Sequence, residues 1–256
     1  MDLELAGKSV VITGGSRGIG YACADLFAQE GCDVAIVASK PASISSALLQ
    51  LRSRHGERVR GICLDLAKSD DSMELARLME SVDIVVNNAG AIPGGGLASV
   101  DDQTWRTAWD LKIYGYINAA RQALPAMTDR RHGVIVNVIG IAGSNPRYDY
   151  VCGSMANAAL IAFTKAAGGY SSKHGVRVVG VNPGPTETER LIQLYQRRAE
   201  ERFGDASRWR EMLADLPFGR PAKPEEIADL VVFLASARAA YLSGVVIDAD
   251  GGGRYA

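Results

Sequence analysis

No cysteine pair, no histidine cluster and no long apolar run marks this sequence. Its four cysteines (Cys23, Cys32, Cys63 and Cys152) show no CxxC spacing, and its three histidines are scattered. A zinc site and a disulfide framework are therefore not expected; buried free thiols in a reducing compartment are the reading. Every apolar run stops short of the ~20 residues that span a bilayer. No basic segment followed by an apolar stretch opens the chain at Met1-Asp2-Leu3-Glu4-Leu5. The expectation is a cytoplasmic protein with no membrane partner. Charge of either sign is also lacking in excess. A net charge of −1 and a pI near 6.3 provide no field to draw nucleic acid or anionic lipid. No repeat, linker or low-complexity tract interrupts the 256 residues, so one domain over 1–256 is expected.

What is present is a regular alternation. Hydrophobic residues make up 47% of the chain, enough to build a full core. Short runs rich in valine and isoleucine stand at 9–12, 33–38, 59–64, 82–87, 134–138, 176–181 and 245–248. They show little polar alternation, which suits parallel strands covered on both faces. Helix-period segments lie between them at 18–30, 43–54, 69–80, 104–127, 153–174 and 224–235. Gly31, Gly56 and Gly175 follow three of these, and Pro224 opens the last. Such alternation specifies an α/β, doubly wound sheet. One segment breaks the rhythm. Residues 186–221 contain no strand pattern but carry Leu191, Ile192, Tyr195 and Trp209 among many charges. Its place after a strand's C-terminal end predicts a substrate lid over the crevice; a helical hairpin packed on the surface is the alternative.

The first strand, Val10-Val11-Ile12, empties into Thr13-Gly14-Gly15-Ser16-Arg17-Gly18-Ile19-Gly20. Gly14 permits a tight turn, Gly18 lets backbone approach a phosphate, and Gly20 lets helix pack on strand. The helix that follows offers its amide donors and partial positive charge to a dinucleotide phosphate. An acid after the second strand would hold ribose hydroxyls and repel a 2′-phosphate. The chain has Ser39 and Lys40 there instead, with Arg17 in the glycine loop, so NADP(H) is favoured over NAD(H). A solvated Lys40 and an Arg17 that merely steadies the loop is the alternative.

Four further segments extend the pattern: Asp65-Leu66, Asn87-Asn88-Ala89-Gly90, Asn182-Pro183-Gly184-Pro185-Thr186, and the 244–252 stretch ending Asp250-Gly251-Gly252. With Thr13-Gly-x-x-x-Gly-x-Gly20 they resemble, in order and over essentially the whole chain, the short-chain dehydrogenase/reductase family. The resemblance implies a single Rossmann-type domain, a seven-stranded parallel sheet with helices on both faces. It places Asp65 and Leu66 at the adenine, Asn88, Ala89 and Gly90 along the cofactor, and Pro183, Gly184 and Thr186 beside the nicotinamide. It also implies a homotetramer or homodimer, with helices 104–127 and 153–174 at an interface and Arg254-Tyr255-Ala256 reaching a neighbour.

In that family a tyrosine moves the proton, a lysine one helical turn later holds the ribose, a serine polarises the substrate oxygen and an asparagine completes a proton path. The segment Ala158-Ala159-Leu160-Ile161-Ala162-Phe163-Thr164-Lys165 sets the register. The lysine position is then Asn157, the tyrosine position Gly153, the serine position Gly140 and the asparagine position Lys112. All four differ from the family pattern. Lysine and asparagine look exchanged, and Tyr150 stands seven residues before Asn157, the tyrosine-to-lysine spacing of a divergent branch that includes bacterial enoyl reductases. The expectation is a rewired site with Tyr150 as acid/base, Lys112 as the cation that tunes it, and Asn157 beside them. Tyr114, Asn137, Ser144 and Tyr148 are further polar candidates. The contrary expectation is a Tyr150 packed at the rim and a Lys112 that is solvated or paired with Asp110. Two functions follow. One is an NADP(H)-dependent oxidoreductase acting on a small carbonyl, alcohol or activated alkene. The other is a non-redox dinucleotide-binding protein: a sensor, a regulatory subunit, or a lyase or isomerase with bound cofactor. The lid arginines 190, 197, 198, 202, 208 and 210 would suit an anionic substrate, but they interleave with glutamates and leave its charge open.

Overall fold

Valine and isoleucine crowd the strands because both faces of the sheet are covered. The computed structural model describes residues 1–68 and 72–255. Seven strands pair in the order β3-β2-β1-β4-β5-β6-β7, all parallel. They are β1 (Ser9–Thr13), β2 (Asp33–Ala38), β3 (Val59–Cys63), β4 (Ile84–Asn87), β5 (Gly133–Val138), β6 (Val176–Pro183) and β7 (Val246–Ala249). All seven expected strands form, with ends displaced by a residue or two.

Successive side chains enter two cores. Val10, Ile12, Val34, Ile36, Val86 and Val136 face one side, where α1 (Gly18–Gln29), α2 (Pro41–His55) and α8 (Pro224–Ala235) bring Phe27, Leu51 and Val231. Val11, Val37, Val85 and Ile135 face the other, against Met79 of α3 (Ser72–Met79) and Ala119, Ala123 and Met127 of α5 (Gly115–Arg130). Each such fully buried side chain contributes roughly 1.5–3 kcal/mol. The expected start of α3 at residues 69–71 lies outside the described residues, as does Ala256 of the C-terminal tripeptide. Among the described residues no helix is long and apolar enough to cross a membrane.

The helix expected over 104–127 forms, with one π turn inside it. The chain forms α4 (Asp102–Trp109), one π turn at Asp110–Tyr114, and only then α5. A π turn adds a residue to the helical repeat and swings the following side chains around the axis. Lys112 and Ile113 are both buried as a result. Apolar periodicity averages over such a single turn.

The long α6 (Val151–Ser171) lies beside β6, and α7 (Glu189–Phe203) occupies the strandless segment. A 3₁₀ turn at Ala206–Leu213 follows α7, and Tyr195, Ala199 and Trp209 give this hairpin a small core of its own. Its first turn leans on the glycine loop. Arg17 Nη1 lies 3.5 Å from Glu189 Oε2, and a Cβ at Gly18 would come within 3.1 Å of Thr188 Cγ2. The segment is thus a packed helical hairpin, placed where the expected lid would be.

Arg177 on β6 closes the end of α8. Its guanidinium donates to Leu234 O at 2.7 Å, Ala235 O at 3.2 Å and Ser236 O at 3.0 Å. Those carbonyls have no partner within the helix, and a cation at this end also opposes the helix dipole. Replacing Arg177 by Met removes this donor from Leu234 O and Ala235 O, while Ser236 O keeps Ala239 N at 3.3 Å, and is expected to cost about 1–3 kcal/mol. Urea denaturation would measure it; an unchanged midpoint would count against this role.

Candidate active site

The crevice opens where the strand order reverses, between the C-terminal ends of β1 and β4. Here the glycine loop and β4 approach too closely for side chains. A Cβ at Gly14 would lie 2.9 Å from Ala89 Cα, and one at Gly20 would overlap Gly14 O and Asn88 Nδ2. Hydrogen bonds lock the junction. Asn88 Nδ2 donates to Thr13 O and Gly14 O, both at 3.1 Å. The Thr13 hydroxyl accepts Asn88 N at 2.9 Å and Ala89 N at 3.1 Å. At the α1 N-terminus no side chain caps the amides and no acid occupies the first turn. Gly14, Ser16, Arg17, Gly18, Ile19 and Gly20 therefore surround a ready anion site, and the residues present fit a dinucleotide pyrophosphate.

The other expected cofactor residues lie along the same edge. Ser39 and Lys40 are exposed after β2. Asp65, after β3, accepts Ala67 N at 3.2 Å and faces Lys68 Nζ at 3.6 Å, beside a half-buried Leu66. Gly184, after Pro183, donates its amide to Ala249 O at 2.9 Å, and the buried Thr186 hydroxyl donates to Gly184 O at 3.0 Å. Arg17, in the glycine loop, is exposed. Its extended backbone (φ −160°, ψ 166°) sends the guanidinium to Glu189 of α7. No hydrogen bond or ion pair joins it to Ser39 or Lys40 among the described residues.

Lys112, Gly140, Gly153 and Asn157, the positions singled out in the sequence, have the following surroundings. Lys112 is neither solvated nor paired with Asp110. It is 7% exposed, and its Nζ donates to Tyr116 Oη at 2.9 Å, Val138 O at 2.9 Å and Ile139 O at 3.2 Å. A Cβ at Gly90 would come within 2.9 Å of Lys112 Cδ, so Gly90 makes room for this side chain. Burial pushes the Lys112 ammonium down from 10.5 to about 7, and the positive charge of Arg190 adds in the same direction.

Asn157 is 3% exposed and packs on Gly140, whose Cβ would lie 2.8 Å from Asn157 Nδ2. Asn157 Oδ1 is buried without a partner. Gly140 has φ +140°, a backbone state that disfavours a serine.

The space above Gly153 is filled by Tyr150. A Cβ at Gly153 would overlap Tyr150 Cε1 and Cζ and lie 2.6 Å from its hydroxyl oxygen. The cation on that hydroxyl is Arg190 of α7, whose Nη2 donates to it at 3.3 Å and also to Ile92 O. This corrects the expected pairing of Tyr150 with Lys112, whose three N–H groups are already engaged elsewhere. Arg190 was hidden among the six arginines of the 186–221 segment, and nothing in its spacing singles it out.

The remaining candidates are structural or peripheral. Asn137 links Asn87 Nδ2 (2.9 Å) to Thr164 Oγ1 (2.9 Å) inside the core. Ser144 accepts Asn182 Nδ2 at 3.0 Å. Tyr114 and Tyr148 are exposed. A cleft of about 310 Å³ runs between Gly90, Ile92, Pro93 and Thr104 on one wall and Arg190 and Gln193 of α7 on the other.

Residues 8–199 match the model of the short chain dehydrogenase family. The chain belongs to the short-chain dehydrogenase/reductase family. Its relatives include the 2,3-dihydro-2,3-dihydroxybenzoate dehydrogenase of Bacillus subtilis, 32% identical, with 97% of this chain and 96% of that one covered. The 3-oxoacyl-acyl-carrier-protein reductase FabG of Chlamydia muridarum is 31% identical, covering 98% and 99%. Among solved structures, the L-sorbose reductase of Gluconobacter frateurii, complexed with NADPH and L-sorbose, superposes with a TM-score of 0.90 at 31% identity over 98% of both chains. Membership in this family of oxidoreductases supports a nicotinamide dinucleotide as the cofactor.

Lys112 also makes a prediction about stability. Between about pH 7 and pH 10.5 the folded chain holds fewer protons on this residue than the unfolded chain does. Stability must therefore rise with pH across that window and lose this contribution below it. The stability of the wild type relative to Lys112→Met should grow from pH 7 to pH 10 in denaturant titrations. A pH-independent difference would show that Lys112 keeps its ordinary affinity for protons.

Proposed function

We propose that this protein is an atypical NADP(H)-dependent oxidoreductase acting on a small carbonyl, alcohol or activated alkene, with Tyr150 as its acid/base. The observation that carries the reading is the Tyr150 ring over Gly153. The aromatic hydroxyl missing from position 153 is restored from one turn earlier in the chain. The absence of an acid after β2 supports NADP(H) over NAD(H). So does the NADPH held by the related L-sorbose reductase and by an actinorhodin polyketide ketoreductase, 26% identical with a TM-score of 0.89.

The chemistry divides between cofactor and protein. When bound, NADPH supplies the hydride for the substrate carbon. The protein handles the proton. Arg190 donates to the Tyr150 oxygen, which orients the hydroxyl and leaves its hydrogen available to a substrate oxygen. Asn157 presents a buried, unpartnered Oδ1 suited to a ribose hydroxyl. Lys112 acts as a positioning residue: it pins the carbonyls of Val138 and Ile139, which lead directly into Gly140.

The non-redox reading has one observation on its side. Gly140 carries no group to polarise a carbonyl, and Asn157 fills the space where one would begin. Rates decide between the two readings. Quenching of protein fluorescence by NADPH would report cofactor binding. Tyr150→Phe should then lower kcat roughly 10²–10⁴-fold with NADPH affinity unchanged, and an undiminished rate would exclude Tyr150. A methyl group at position 153 collides with the Tyr150 ring, so Gly153→Ala should lower kcat in the same direction. Wild-type protein that binds NADPH tightly but never oxidises it with any carbonyl would favour the non-redox function.

A further inference from the structure

Arg190 is placed differently from its neighbours on the lid hairpin. Arg198 pairs with Asp149 at 3.0 Å, Arg208 with Glu211 at 2.8 Å, and the Arg210 guanidinium lies 4.5 Å over the Trp209 ring. Arg190 has no carboxylate partner among the described residues. Its Nη2 reaches Ile92 O and the Tyr150 hydroxyl, while Nε and Nη1 make no hydrogen bond there. It lines the cleft together with Thr104 and Gln193, which are neutral, and with Glu189, whose charge is matched by Arg17. Lys112, which is buried, lies close enough to the exposed Arg190 for its proton affinity to feel that charge, with no acid among the causes of the shift. Arg190 thus touches the proton donor of the proposed reaction through Nη2 and lines a cleft of about 310 Å³ with the N–H groups of Nε and Nη1 still open.

We propose that Arg190 is the specificity-determining residue of this site and that the substrate is a small oxo or hydroxy acid, its carboxylate held by Arg190 beside the Tyr150 hydroxyl. Nε and Nη1 can each donate a charge-assisted N–H···O bond to a carboxylate oxygen while Nη2 keeps Tyr150 and Ile92. One such contact also fixes the distance between the acid group and the carbon that reacts. The inference rests on the oxidoreductase reading for the word substrate, but the carboxylate site is testable without turnover.

The test uses the whole protein loaded with NADPH and a panel of C3 to C8 2-oxo and 3-oxo acids with their methyl esters. Binding is followed by calorimetry and turnover by NADPH absorbance. At least one acid should bind roughly 10- to 100-fold more tightly than its ester, as expected for a charge-assisted pair. Arg190→Met should abolish that preference while NADPH affinity stays unchanged, and Arg190→Lys should restore only part of it. Arg202→Met, on the same hairpin but stacked on Phe203, should keep it. A wild type that treats acids and esters alike overturns the proposal whatever the variants do, and so does a preference that survives in a folded Arg190→Met. Acid binding that depends on Arg190 without NADPH oxidation would uphold the carboxylate site and reject the redox reading. Fast oxidation of NADPH by esters and acids alike would do the reverse.

Discussion

The close approach of the glycine loop to the end of β4 is the constraint on which this molecule depends. Two backbones meet there with no room for a Cβ at Gly14 or Gly20, and Asn88 and Thr13 stitch them together with four hydrogen bonds. The junction does two jobs at once. It joins the halves of the sheet at the point where strand order reverses, and it aims the uncapped start of α1 into the crevice. A side chain at either glycine would pry the loop from β4 and turn away the amides that make an anion site.

At the other end of the crevice three glycines make room for larger neighbours. Gly153 surrenders its space to the Tyr150 ring, Gly140 to Asn157, and Gly90 to Lys112. Each pair is a small residue beside a larger one that comes from elsewhere in the chain. The polar groups are not left adrift. Lys112 satisfies three oxygens, Tyr116 donates to Val138 O at 2.7 Å, and Arg190 engages Tyr150. Burying a lysine ammonium is costly unless it is so paired, and the π turn at Asp110–Tyr114 is what delivers Lys112 to its acceptors.

Much of this was legible in the residues themselves. Seven valine-rich runs became seven strands, and Gly14, Gly18 and Gly20 announced the phosphate loop through their spacing alone. That Lys112 and Asn157 are worth examining followed once the helix register had been set. The cation that meets Tyr150 was not. Arg190 lies on α7, far along the chain from Tyr150, among arginines of the same type that pair locally with acids. The π turn was equally invisible, since it alters one turn within an otherwise ordinary helical pattern.

The division follows from range. Sequence alone determined the alternation of strand and helix, the both-face burial of the sheet and the phosphate loop, because each is a local pattern repeated within a few residues. Tertiary structure alone decided that Tyr150 covers Gly153, that Lys112 turns to the end of β5, and that Arg17 and Arg190 face the cleft with opposite fates, one paired with Glu189 and one left without an acid. Those outcomes depend on which side chain fills a given volume when distant segments pack, and no spacing along the chain encodes that.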